Sequence, residues 1–350
     1  MIAKYLFDIH SGFALLAEFS LSAALLLLSG VFVTQYSKKI SDQSGLSRLW
    51  IGMMLLAPLS SAGEFISSVT AITFLRAPDI AFGDIFGSNI FNLMILCFLI
   101  PVLTYRTPLF SIKGILHERD ILLSAWGMIL IVISMMGIFL TESIPKSFYF
   151  VFSLLIALGY LFGVRMMASY EKLEIEKTFK VHLKTTAMTW IYFLFWGMVM
   201  VISGFWITHL SDQIASYPFE MFGGKILLGQ TFVGTLFLAT VTSLDEAIIA
   251  ISAIKMSASE LAIGNIFGSN LVNLFFIPIL DVIYRLKYGV HIFFDVHSIH
   301  LFTGLIVICL TALATSGILY RSRERKGWGW DTLSMIFVYI FGAFVLFRLR

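Results

Sequence analysis

Charge is scarce in this chain. Of 350 residues, 13% are Asp, Glu, Lys or Arg, 59% are hydrophobic, and the mean hydropathy is +0.92. That balance excludes an ordinary soluble globular domain. Cysteine is scarcer still: Cys97 and Cys309 are the only two, both within apolar stretches, so a disulfide framework is excluded and both read as buried, reduced thiols. The seven histidines fall in loops or near the ends of apolar runs, which argues against a buried histidine metal or proton site. A closed barrel is excluded as well, because it needs short alternating segments and none appear. The net charge of +3 is too small to point to a nucleic-acid partner. No nucleophile and base pair, zinc motif or pair of intramembrane aspartates supports a membrane-embedded enzyme.

What fills the chain instead is a series of apolar runs, most of them long enough to cross roughly 30 Å of hydrocarbon as helices. Polar breaks divide them into spans near 12 to 36, 49 to 75, 79 to 104, 120 to 140 and 147 to 168, then near 187 to 210, 225 to 254, 260 to 284, 299 to 319 and 331 to 348. The fold class expected is an all-α polytopic membrane protein with ten transmembrane helices in a five-plus-five arrangement. The first run is too long for a signal-peptide core, so it reads as a span. The first half is taken as 1–168 and the second as 187–350. The charged, helix-favouring stretch between them, 169–186, reads as a linker too short for a folded domain.

Sixteen of the 24 Lys and Arg residues lie in loops after odd-numbered spans, which puts those loops in the cytoplasm and both termini outside. Five spans per half then require the second half to enter the membrane upside down, as in an inverted repeat. A sequence repeat supports this. AFGDIFGSNIFN at 81–92 matches AIGNIFGSNLVN at 262–273 at eight of twelve positions, and Glu64 and Glu246 lie 182 residues apart upstream of the two copies.

Glu64 and Glu246 both fall inside apolar spans, where an ionised side chain costs about 2.5–3.5 kcal/mol on insertion scales. No Lys or Arg accompanies them at that depth, so they must be protonated or meet a cation from solution. Ser60 lies four residues before Glu64, and Thr242 four before Glu246, each one helical turn away on the same face. Ser61 and Ser243 stand three residues before their glutamates. Ser88 with Asn92, and Ser269 with Asn273, repeat the four-residue spacing. Every side-chain ligand in this set is a hard oxygen, suited to calcium, sodium, magnesium or manganese. Asp245 is rotated about 100° from Glu246 on a regular helix and reads as a third acid or as part of an access path. Pro58, Gly63, Gly83, Gly87, Gly234, Gly264 and Gly268 permit broken helices, and the paired GxxxG spacings also suit close helix packing.

GEFISSVTAI with GDIFGSNIFN, and TSLDEAIIAISAI with GNIFGSNLVN, resemble the alpha-1 and alpha-2 repeats of the sodium/calcium exchanger, or cation/calcium exchanger, superfamily. The motif regions span about 57–93 and 239–274. The resemblance implies a midplane site in which Glu64 and Glu246 bind the ion. Ser60, Ser61, Ser88 and Asn92, with Thr242, Ser243, Ser269 and Asn273, would complete the ligands. It implies calcium and sodium as cargo, with no resident cofactor, and exchange across the lipid bilayer by alternating access. Four positions depart from the family pattern. Gly63 and Asp245 stand where proline is usual, Asp84 replaces the asparagine of the GN pair, and Asn273 stands where sodium-coupled members commonly carry aspartate. Calcium/proton exchange and a passive cation channel are the alternatives. Compactness and the lack of a targeting segment suggest a prokaryotic plasma membrane.

Overall fold

The computed structural model describes residues 12–106, 118–141, 143, 145, 148–177, 187–216, 219–221, 224–226, 243–320 and 329–348. Thr242 and most of the expected seventh span, 227–242, lie outside them. Helix α1 (Gly12–Ser44) is followed by a segmented second span built from α2 (Arg48–Ile51), a π-helical turn (Gly52–Leu56), α3 (Ala57–Ser60), α4 (Ala62–Thr70) and a second π-helical turn (Ala71–Leu75). Then come α5 (Pro78–Arg106), α6 (Glu118–Phe139), α7 (Phe150–Lys177) and α8 (Ala187–Ser216). After a short hairpin follow α9 (Leu244–Lys255), α10 (Ser259–Tyr288), α11 (Ile299–Tyr320) and α12 (Trp330–Arg348).

Eight of the described helical segments are long and apolar enough to cross a membrane, and the shorter apolar helix Trp330–Leu346 follows them. Their outward faces carry bare hydrocarbon, with Leu161, Phe162, Leu194, Met198, Phe337 and Ile340 all exposed. Lipid-facing and core-facing surfaces are equally apolar in such a bundle. That equality corrects one sequence expectation: Cys97 is buried, but Cys309 is exposed on the outer surface of α11.

Two element boundaries also differ from expectation. The seventh span was expected to begin near 225, yet Phe219–Met221 (β1) pairs antiparallel with Gly224–Ile226 (β2) in the register Phe219↔Ile226 and Met221↔Gly224. Gly224 disfavours a helix, and local strand pairing satisfies the backbone instead. Helix α7 runs on to Lys177 through the start of the expected linker. There the Glu171 carboxylate accepts hydrogen bonds from the Ser47 amide and hydroxyl at the start of α2, both at 2.5 Å. An anion beside a helix N-terminus meets its unpaired N–H groups and the positive end of its dipole.

Helix α10 is the hub, packing on α2 through α7 and on α9. Its glycines make this approach possible. A Cβ on Gly264 would stand 2.4 Å from the Leu49 carbonyl oxygen, and one on Gly268 would stand 2.8 Å from the Met53 Cα. Helices α1 and α8 pair along their length, joined by the Phe32–Trp196 and Tyr36–Tyr192 stacks and by a hydrogen bond from Ser22 Oγ to the Ser203 carbonyl at 3.0 Å.

The second span and α9 end alike. Arg76 (φ 50°) and Ser257 (φ 55°), 181 residues apart, both adopt the left-handed conformation that stops a helix. Cations cap the exposed carbonyls, as the negative end of a helix dipole favours. Lys287 Nζ and Tyr288 OH hold the Thr73 and Ile72 carbonyls. Lys38 Nζ binds the Met256 carbonyl at 2.8 Å, and Arg48 binds that of Ser257 at 3.1 Å. Because α9 ends beside Arg48, where the second span begins, α4 and α9 run in opposite directions.

Gly264→Ala should destabilise the protein by about 1–3 kcal/mol through overpacking against backbone that cannot retreat. Gly127→Ala, whose new methyl would meet only Leu271 at an ordinary 3.7 Å, should be nearly neutral. Thermal denaturation in detergent, followed by size-exclusion chromatography, measures both.

Candidate ion-binding site

Both glutamates occupy the third position of a helix that starts after a break. Ser61 (φ −77°, ψ 7°) precedes α4 and Ser243 (φ −95°, ψ 13°) precedes α9. The Phe65 amide donates to the Ser61 carbonyl at 3.2 Å, and the Ala247 amide, 182 residues on, donates to that of Ser243 at 3.4 Å. Pro58 contributes to the first break, since its missing N–H leaves a carbonyl one turn earlier without its helical partner. Each glutamate therefore sits in the first turn of a helix, where free N–H groups and the dipole favour negative charge.

The order Ser-x-x-Glu at 61–64 and 243–246 would permit a reciprocal capping box. Neither serine caps its helix with its side chain. Ser61 Oγ has no hydrogen-bond partner, and Ser243 Oγ lies 3.4 Å from Ser88 Oγ on α5. Released from capping, the Ser61 hydroxyl is left without a partner and the Ser243 hydroxyl turns to α5.

Glu64 and Glu246 are fully buried, and none of their four carboxylate oxygens has a hydrogen-bond partner. They lie close enough to interact electrostatically, with Asp245 and Asp84 also within reach of Glu64. The Ser60 and Ser61 hydroxyls act on the Glu246 carboxyl from the other half, although no donor reaches its oxygens with hydrogen-bond geometry. None of the ion pairs among the described residues involves these four acids. Nor do three His, Cys, Asp or Glu side chains there form a metal-holding group. What remains is a pair of glutamates with two further acids and several neutral oxygens nearby, and no cationic partner among the described residues.

An amide brace holds this centre. Asn92 Nδ2 donates to Asn270 Oδ1 at 3.1 Å, and Asn273 Nδ2 donates to Asn89 Oδ1 at 3.1 Å, so each bond is the other shifted by 181 residues. Asn89 Nδ2 also donates to the Asn270 carbonyl at 3.3 Å. With their nitrogens tied, Asn92 and Asn273 leave their Oδ1 atoms buried and unpartnered. Ser60 Oγ lies 3.2 Å from Ser269 Oγ and 3.3 Å from Asn265 Oδ1. Orphaned acceptors and carboxylates thus outnumber orphaned donors in this buried polar centre, chemistry suited to a hard cation.

Of the residues expected to bind, Ser60, Ser61, Glu64, Ser88, Asn92, Ser243, Glu246, Ser269 and Asn273 are all fully buried. Thr242 lies outside the described residues. Asp245 is buried beside Glu246 but leans toward α8, with its Oδ2 3.8 Å from where a Gly204 Cβ would stand. Sequence reasoning missed Asn89, Asn270 and Asn265, although all three stand in the repeated motif. His291 and His300 lie near span ends as expected, yet both are buried, paired with Asp281 at 2.9 Å and Asp79 at 3.3 Å, respectively, and apart from the glutamates.

The profile of the family described as sodium/calcium exchanger protein matches residues 14–169 and 188–350. The chain belongs to that family. The sodium/calcium exchangers among solved structures include NCX_Mj soaked with 2.5 mM Na+ and 0.1 mM Sr2+, which is 15% identical to this chain with a TM-score of 0.67. That match covers 95% of this exchanger-family chain and 98% of NCX_Mj. NCX_Mj soaked with zero Na+ and Ca2+ matches with a TM-score of 0.62 at 16% identity, over 96% and 99% of the two chains. At such identity the likeness speaks for a shared fold. No curated protein sequence matches the chain. Family membership and the apolar helices together make this an integral membrane protein of an exchanger family.

Asn89→Ala and Asn270→Ala each strand a buried amide donor, at a cost of about 1–3 kcal/mol. Being repeat counterparts, the two variants should lose similar amounts of thermal stability in detergent. A loss confined to one of them would count against the reciprocal brace.

Proposed function

We propose that the protein is a secondary active antiporter that exchanges calcium for sodium by alternating access. One observation carries the reading: two fully buried glutamates, one from each half, lie within electrostatic reach of each other with all four carboxylate oxygens free of hydrogen bonds. Calcium enters between Glu64 and Glu246 and takes further oxygens from Asn92, Asn273 and the Ser61 hydroxyl, with Ser60, Ser88, Thr242, Ser243 and Ser269 around it. Two carboxylates neutralise one calcium ion. Release follows when the exchanging ions occupy those oxygens, while one side of the bundle closes and the other opens.

The reading includes a ten-span, five-plus-five inverted repeat, 1–168 and 187–350 about the 169–186 linker. Several observations support it: the opposite directions of α4 and α9, the matched breaks at Ser61 and Ser243, and the reciprocal asparagine brace. It also places both termini on the extracytoplasmic side of a prokaryotic plasma membrane, in keeping with the distribution of Lys and Arg. Helix packing is the usual role of isolated serines and asparagines in membrane helices. A purely structural role does not explain paired carboxylates left without donors.

Proton coupling is the second reading, favoured by Asn273. A neutral amide tied to Asn89 stands where sodium-coupled members of the family commonly carry an aspartate.

Calcium uptake into proteoliposomes under a sodium gradient or a pH gradient, each imposed alone, separates the two. Uptake should follow the sodium gradient, and uptake driven only by pH transfers the assignment to protons. Glu64→Gln and Glu246→Gln should each abolish calcium movement. Full activity in both variants, or simple dissipation of a calcium gradient without counter-ion, as a channel would show, defeats the antiporter reading.

A further inference from the structure

The two halves are not equivalent on the faces that lead to the glutamates. Asp84, Ser88 and Asn92 follow one another at four-residue intervals on α5, and Ser68 stands one turn beyond Glu64 on α4. Ser68 Oγ donates to Asp84 Oδ2 at 3.3 Å, and the Ser67 hydroxyl lies beside the same carboxylate. The counterpart of Asp84, 181 residues later, is Asn265. Asn265 is fully buried and accepts from Ser60 Oγ at 3.3 Å, whereas Asp84 remains partly exposed.

From this asymmetry we infer that Asp84, Ser67 and Ser68 form an accessory cation subsite beside the Glu64–Glu246 pair. It would serve ions moving to or from the side of the 76–78 turn and no others. The inference rests on the antiporter reading above and deepens it. Asp84 acts electrostatically on both Glu64 and Glu246, and no Lys or Arg among the described residues pairs with any of the three. Two hydroxyl donors do not neutralise a carboxylate beside two more. A cation shared between Asp84 and the unpartnered, fully buried oxygens of Glu64 does, and oxygen ligands of this kind suit an alkali or alkaline-earth ion that keeps part of its water. Asn265 carries no charge, so the opposite approach has no such station.

Asp84→Asn tests the charge alone, because the amide oxygen can still accept from Ser68 and the residue becomes like its counterpart. In oriented vesicles, the KM for calcium presented on the face of the 76–78 turn should rise roughly tenfold with loss of one nearby charge, while the KM from the opposite face stays within about twofold. Asp84→Glu should restore the one-sided value. An unchanged KM on both faces, or an equal rise on both, overturns the subsite. A second measurement needs no transport: equilibrium dialysis with radioactive calcium on purified protein. Glu64→Gln should retain weak calcium binding that disappears in Glu64→Gln/Asp84→Asn, and equal binding by the two overturns the inference. Failure of the antiporter reading shows itself differently, as wild-type vesicles without gradient-driven uptake.

Discussion

A carboxylate surrounded by hydrocarbon and protein must be neutralised by something, and here no cationic side chain among the described residues pairs with it. Placing an ionised acid at the centre of a membrane helix costs about 2.5–3.5 kcal/mol even on the most lenient scales. The chain bears that cost twice, at Glu64 and Glu246, and arranges the surroundings so that no internal donor relieves it. The broken helices, the serines that decline to cap them and the tied asparagines keep oxygens available for something that comes and goes.

That requirement explains why the polar centre is braced through nitrogen. An asparagine offers two donors and an acceptor site. Asn92 and Asn273 use their amide nitrogens on Asn270 and Asn89, which leaves their oxygens buried and without a donor. A brace through oxygen would leave donors facing the ion and repel it. Around this centre, Gly264 and Gly268 let α10 approach the second span closely, so the ring of oxygens is set on packed helices instead of loops.

The sequence made the glutamates legible because each stands alone in an apolar run and the two stand at matching distances from a repeated motif. The serine and asparagine ladders followed from the four-residue spacing that puts side chains on one helical face. Asn89, Asn265 and Asn270 stayed hidden because their roles depend on partners on other helices, which local spacing does not report. The exposed Cys309 was illegible for a different reason: in lipid an outer face is as greasy as a core, so hydropathy cannot tell one from the other. The β1–β2 hairpin escaped notice because strands of three residues carry no periodic signal beside a long apolar run.

The contact between Asn89 and Asn270 joins two residues that are each other's copies. A side chain can touch its own copy only where the rotation relating them passes through the contact, just as in a twofold dimer. A single half, with Asn89 and Asn92, already contains both the giving and the receiving side of the amide brace. Two separate copies of one half would thus close the same amide brace without a new residue. Within one chain the two copies need not stay identical, and Asp84 against Asn265 is where the surroundings of the two glutamates have become unlike.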